Sequence, residues 1–206
     1  MTTVKPAACI LFASLLVIGW SAIASAQQPQ PSRIRGTVER VEGEMVQIKT
    51  RDGQDVTVHM AKEARVAGVA KIALSDVKVG SYVGATTTPG PNDTHLALEV
   101  HLFPEAQRGT GEGSRPWDLK PNSSMTNGAV DQTVAGNDGH TLVVKYKDGE
   151  KKVVVTPDTA VVTYVQATKD DIKLGAKVFV VATKNADGSY EMTRASVGRD
   201  GIAPPM

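Results

Sequence analysis

Two stretches of this 206-residue chain are copies of one another, and that duplication limits what the chain can fold into. Leu74-Ser75-Asp76-Val77-Lys78-Val79-Gly80-Ser81-Tyr82-Val83 matches Lys169-Asp170-Asp171-Ile172-Lys173-Leu174-Gly175-Ala176-Lys177-Val178. The offset is 95 from Gly80 to Gly175 and from Val66 to Val161. It is 96 from Asp52-Gly53 to Asp148-Gly149, and 92 from Gly36 to Gly128. The early difference fits a longer first hairpin in the second copy, where Gly136-Asn137-Asp138-Gly139 replaces Glu42-Gly43. A long period with only two copies reads as tandem duplication of a domain; a solenoid repeats more often and more briefly. The copies run over 34–103 and 128–198.

Each copy is patterned as β-structure. Apolar residues alternate at Val46/Ile48, Val56/Val58, Val83/Ala85 and Leu98/Val100/Leu102. The second copy does the same at Leu142/Val144/Tyr146, Val153/Val155 and Val178/Val180/Ala182. Period two puts one face of a strand in a core and the other in water. Valine and threonine dominate, and both suit a pleated, half-buried surface. The pairs Asp52-Gly53, Asp148-Gly149 and Asp187-Gly188 mark tight hairpins, where glycine supplies positive φ. The one helical signal per copy is a single turn, with Ser75 or Asp170 expected to cap it and Gly80 or Gly175 to end it. The expectation is an all-β protein of two tandem small OB-like barrels, each of five to six strands. Closure is favoured because a small open sheet exposes its edges.

The N-terminus sets the compartment. Lys5 opens a short positive region, Ala7 to Ala24 is almost wholly apolar, and Ala24-Ser25-Ala26 is an A-x-A site. That order is the anatomy of a signal peptide over residues 1–26, cleaved after Ala26, and it predicts a periplasmic or secreted product. A flexible segment, 27–33, follows. Cys9, the only cysteine, lies in the part removed, so disulfides, thiolate metal sites and thiol catalysis are not expected in the mature chain. Loss of Lys5 leaves 22 basic against 22 acidic residues. A neutral chain with scattered aromatics is not expected to bind nucleic acid. No second apolar run approaches the ~20 residues of a membrane span, so none is expected after cleavage.

Between the copies lies a Gly/Pro/Ser-rich linker, 104–127, followed at the far end of the chain by a tail, 199–206. The linker contains Arg108-Gly109-Thr110-Gly111-Glu112-Gly113-Ser114-Arg115-Pro116-Trp117. A simple linker seldom carries tryptophan, so Trp117 is expected to pack, with the seam between the two barrels as the candidate place. Arg108 and Arg115, with backbone N–H groups bared by Gly109, Gly111 and Gly113, are the expected contact for an anion or a partner.

The duplicated G-T-V-like start, the Asp-Gly hairpin and the S/D-D-V/I-K-V/L-G turn resemble an exported bacterial small-β-barrel family known only as a domain of unknown function. The resemblance covers both copies. It implies an OB-like barrel in the cell envelope and no catalytic residue.

Three chemistries were weighed on the residues. Ser75-Asp76-Val77-Lys78 spells the S-x-x-K of penicillin-binding enzymes, but the second copy has Asp170 at the serine position. Asp replaces a serine cap and not a serine nucleophile. The Gly109/Gly111/Gly113 run lacks the strand and helix that a phosphate loop needs. His59, Glu99 and His101 would make a carboxylate–imidazole metal site if the strand ends met, but the dull alternative places Glu99 and His101 on a solvated strand face. The expected function is therefore that of a non-enzymatic soluble envelope protein without a cofactor. It would act as a binding or adaptor module for an envelope protein or a cell-wall component. The alternative is a periplasmic metal-handling accessory.

Overall fold

The computed structural model describes residues 31–136 and 139–204. The expectations for the signal peptide, Lys5, Cys9, residues 27–30 and the Asn137-Asp138 hairpin tip lie outside the described residues. Among the described residues, no helix is long and apolar enough to cross a membrane.

The fold is all-β, with twelve strands among the described residues. The first copy gives β1 (Ser32–Glu42), β2 (Met45–Thr50), β3 (Asp55–Lys71), β4 (Tyr82–Pro89) and β5 (His95–Leu102). The second gives β7 (Ser124–Gly136), β8 (Gly139–Tyr146), β9 (Gly149–Val155), β10 (Ala160–Gln166), β11 (Lys177–Lys184) and β12 (Tyr190–Gly198). The linker is partly structured: β6 (Gly113–Pro116) pairs antiparallel with the start of β7.

Strand pairing closes into two five-strand circuits. One runs β1–β2–β3–β12–β11 and back to β1, with β3 and β12 parallel. The other runs β7–β8–β9–β5–β4 and back to β7, with β9 and β5 parallel. These are the OB-like barrels that the patterning predicts.

The barrels do not coincide with the copies. Each takes three strands from one copy and two from the other, so the expectation of one barrel within 34–103 and one within 128–198 gives way to a reciprocal exchange. Equivalent contacts fasten both halves. Gly80 N donates to Val130 O at 2.7 Å and Val130 N to Ser81 O at 2.8 Å. Gly175 N donates to Val38 O at 2.8 Å and Val38 N to Ala176 O at 2.8 Å. In each case the glycine turn of one copy docks on the bulged first strand of the other. The barrels are joined by backbone: β3 continues past its own barrel and pairs antiparallel with β10, with Val69 opposite Tyr164. Those two residues are equivalent positions, 164 − 69 = 95, so a pseudo-twofold axis passes between them.

Each barrel has its own core. Ile34, Val38, Val46, Ile48, Val58, Val180 and Met192 fill the first. Val83, Ala85, Val100, Val130, Leu142, Val144 and Val153 fill the second. Gly36 and Gly128 sit where the first strand crosses the second so closely that a Cβ would run into the carbonyl of Lys49 or Lys145. Gly80 and Gly175 have φ of +87° and +80°, as the turn requires. The capping differs in detail from expectation. Asp76 and Asp171, one residue after Ser75 and Asp170, accept the N–H of Ala73 and Thr168 at 3.0 and 2.8 Å. A carboxylate three residues on can reach back to the start of the turn, which the residue nearer the cap cannot do.

Candidate functional site at the barrel junction

Alternation along the strands gives each barrel an outward face. Where the barrels meet, two such faces cover one another. Arg33 and Arg35 flank the core residue Ile34 on β1, and Phe179 and Val181 alternate with Val178 and Val180 on β11. Arg194 and Ser196 bracket Ala195 on β12. Facing them from the other barrel are Glu99 and His101 on β5, Phe103 just beyond it, and Met125 and Asn127 on β7. Tyr164 comes from β10 at the pseudo-axis, and Trp117 from the linker.

Glu99 and His101 are both 0% exposed, which corrects the expectation of a solvated strand face. The reason is tertiary: the outward face of β5 is roofed by the second barrel. His101 Nδ1 lies 3.6 Å from Glu99 Oε1, too far for a good hydrogen bond, and neither side chain has another hydrogen-bond partner among the described residues. The His101 ring lies 4.0 Å from Tyr164 and 5.0 Å from Phe103, centroid to centroid. Burial raises the Glu99 carboxyl above its ordinary range; the adjacent His101, then Arg35 and Arg51, oppose that without cancelling it. Burial also pushes the Tyr164 phenol up to about 12.

His59 is placed elsewhere. Its Nε2 lies 3.1 Å from Glu44 Oε2 on an exposed edge of the first barrel. The structure therefore brings Glu99 and His101 together and leaves His59 with a different carboxylate. Among the described residues, no group of three His, Cys, Asp or Glu side chains is arranged to hold a metal ion.

The linker residues divide in the same way. Arg108 is engaged with Glu105 and with Gly80 O at 2.8 Å, and so pins the linker to the turn before β4. Gly109, Gly111 and Gly113 have φ of +84°, +55° and +115°. The backbone they bend turns carbonyls inward: Thr110 O accepts from Asn127 Nδ2 at 2.9 Å, and Gly111 O from Arg115 Nη1 at 2.8 Å. Trp117 packs against Met125 and Phe179, one from each barrel, as its presence in a linker led us to expect.

Around Trp117 opens a cleft of about 230 Å³. The Arg33 guanidinium carbon lies 4.2 Å from the indole centroid and that of Arg115 lies 5.5 Å away, while Arg35 stacks 4.7 Å over Phe179. Asp118 answers Arg35 at 2.8 Å and Arg33 at 3.7 Å. Burial pushes the Asp118 carboxyl up, but Arg35 and then Arg33 outweigh it and hold the group below its ordinary value. Burial, and then the like charge of Arg33, lower the Arg115 guanidinium. Arg194, at the exposed side of the cleft, makes no hydrogen bond or ion pair to a described residue. A larger groove of about 430 Å³ beside Gly36 and Arg51 has no aromatic wall.

Sequence reasoning found Glu99, His101, Arg115 and Trp117. It missed Arg33, Arg194, Phe179, Tyr164 and Asn127. The signal available was the difference between equivalent positions in the sequence: Arg33 stands where the other stretch has Met125, Arg35 where it has Asn127 and Arg194 where it has Glu99, with offsets of 92, 92 and 95.

Fold and cleft together define a class, an all-β protein of two small barrels with a cationic and aromatic recess where they join. No family model, curated protein or solved structure matches the chain.

Proposed function

We propose that this chain is a non-enzymatic exported envelope protein that acts by binding, and that the recess between its barrels is where it binds. The observation that carries this reading is the convergence of Arg33, Arg115 and Arg194 with Trp117, Phe179 and Tyr164 on one cleft. Recognition sites pair an apolar or aromatic wall with a few placed polar groups, and this cleft has both. In the S-x-x-K segment Asp76 caps the turn and Ser81 Oγ accepts the Lys78 backbone N–H at 2.9 Å, which supports the reading of that segment as a structural turn. Its resemblance to an exported small-barrel family points to the envelope as the place of action.

Photo-crosslinking in intact envelopes tests the reading. A crosslinker at Thr110, which lines the cleft, captures a discrete partner or cell-wall fragment that the same group at exposed Lys62 does not. Turnover in a broad substrate screen, abolished by one substitution away from the cleft, contradicts it.

A further inference from the structure

Resting on that reading, we infer that the junction cleft takes a small planar organic acid, its carboxylate held by Arg115 and Arg194 and its flat body set against Trp117 and Phe179. Four observations point to this ligand class.

The first is charge. The mature chain is neutral by sequence, yet Arg33, Arg115 and Arg194 line this cleft with no carboxylate among its lining residues, while Arg35 and Asp118 pair with one another beside it at 2.8 Å. Glu99, the other nearby carboxyl, is fully buried. An excess of guanidinium over carboxylate in a recess between low-dielectric walls concentrates anions.

The second is geometry. The Arg33 and Arg115 guanidinium carbons lie 4.2 and 5.5 Å from the Trp117 ring centroid, so cation and aromatic wall stand together. A guanidinium edge matches a planar carboxylate with two parallel hydrogen bonds. Arg115 gives one N–H to Gly111 O, and Arg194 gives none to a described residue.

The third is unmet hydrogen bonding. Trp117 Nε1 and Asn127 Oδ1 are buried without partners, and both residues line the cleft. Asn127 is 3% exposed, and its Nδ2 is committed to Thr110 O, which fixes Oδ1 as the free acceptor. Buried polar atoms left alone cost free energy that a polar ligand atom, or water, recovers. A donor and an acceptor waiting beside a cationic wall suit a ligand with its own polar substituents.

The fourth is size and origin. About 230 Å³ corresponds to about eight waters of liquid volume, which admits a one- or two-ring acid or a single large side chain. Arg33 and Arg194 stand at positions where the other copy has Met125 and Glu99, and Arg115 comes from the linker. The recess is thus a feature of the joined copies and not of either copy's barrel plan.

Calorimetry on the exported full-length protein, with 2-naphthoate, 2-naphthalenemethanol and acetate as probes, tests the inference. We expect saturable one-to-one binding of 2-naphthoate, at least tenfold weaker binding of the neutral alcohol and of acetate, and a shifted Trp117 indole N–H resonance. Arg194→Gln and Arg115→Gln each weaken 2-naphthoate at least tenfold; Arg194 is exposed, so its variant keeps the parent melting curve. Equal binding of acid and alcohol, or binding indifferent to both substitutions, overturns the inference. So does failure of 2-naphthoate to bind. In that case a specific crosslink from position 110 still upholds the broader binding role, so the two failures are separable.

Discussion

The two barrels share one circuit and one register but not one outer face. Tyr190 pairs with Val58 in the first barrel as His95 pairs with Val153 in the second, both pairs related by 95 residues. In the first barrel the parallel seam lies along β3, which runs unbroken from Asp55 to Lys71. In the second, the same seam is split between β9 and β10 by Thr156-Pro157-Asp158-Thr159. The interiors are interchangeable in kind, with valine facing valine. The faces that meet are not: Glu99 answers Arg194, and His101 answers Ser196. The positions that close each barrel are alike in the two, and the positions at the junction are not. The recess draws Arg33, Phe179 and Arg194 from one barrel, Phe103 and Asn127 from the other, and Arg115 and Trp117 from the segment between them.

The comparison can be broken at its most constrained point. Gly36→Ala and Gly128→Ala each place a Cβ against backbone that cannot yield. Each is expected to cost about 4 kcal/mol or more, by similar amounts in the two barrels, in denaturant melts. A large loss at one glycine with none at the other breaks the equivalence.

The junction is expected to be sensitive to pH. Glu99 has a raised folded-state pKa, so its favourable contribution is complete below the ordinary carboxylate value and is lost as pH rises through the raised one. Glu99→Gln removes that loss. The variant should match the parent near pH 4 and exceed it by about 1–2 kcal/mol near pH 8. A gap that shrinks with rising pH contradicts this assignment.

The smallest effect is expected at Lys62, which stands where the second copy has Pro157, 157 − 62 = 95. Lys62 falls in the interval between the two paired segments of β3, after Met60 and before Arg65. Lys62→Pro is expected to cost less than about 1 kcal/mol, against the ~3 kcal/mol or more of a proline that removes a regular hydrogen bond. A full loss would show that the continuous first seam depends on that residue.

Much of the barrel was legible in the residues. Alternation at Val46/Ile48 and Leu142/Val144 identified the strands, and Asp52-Gly53 and Asp187-Gly188 marked hairpins with Gly53 and Gly188 at φ +84° and +85°. The exchange was not legible, for a physical reason. β4 and β5 make the same pairs with their barrel mates whichever copy supplies them, so local pattern cannot tell one partner from the other. The choice lies in the path of residues 72–81 and in the β3–β10 pairing, neither of which has a periodic signature. The junction was half legible. Trp117 announced itself by being a tryptophan in a linker, whereas Glu99 and His101 read as solvated because their roof comes from a distant part of the chain.

The exchange is the central claim, because without it the recess has a different composition. In the exchanged fold Thr37 pairs with Lys177 across β1 and β11. With one barrel per copy, Thr37 would instead face position 82, since 177 − 95 = 82. Paired strand positions lie within disulfide range. In a Cys9→Ser background, oxidised Thr37→Cys/Lys177→Cys protein is expected to form an internal disulfide in the monomer, read as faster migration on a non-reducing gel. No crosslink in that protein, with a ready one in Thr37→Cys/Tyr82→Cys, would contradict the exchange and the junction built on it.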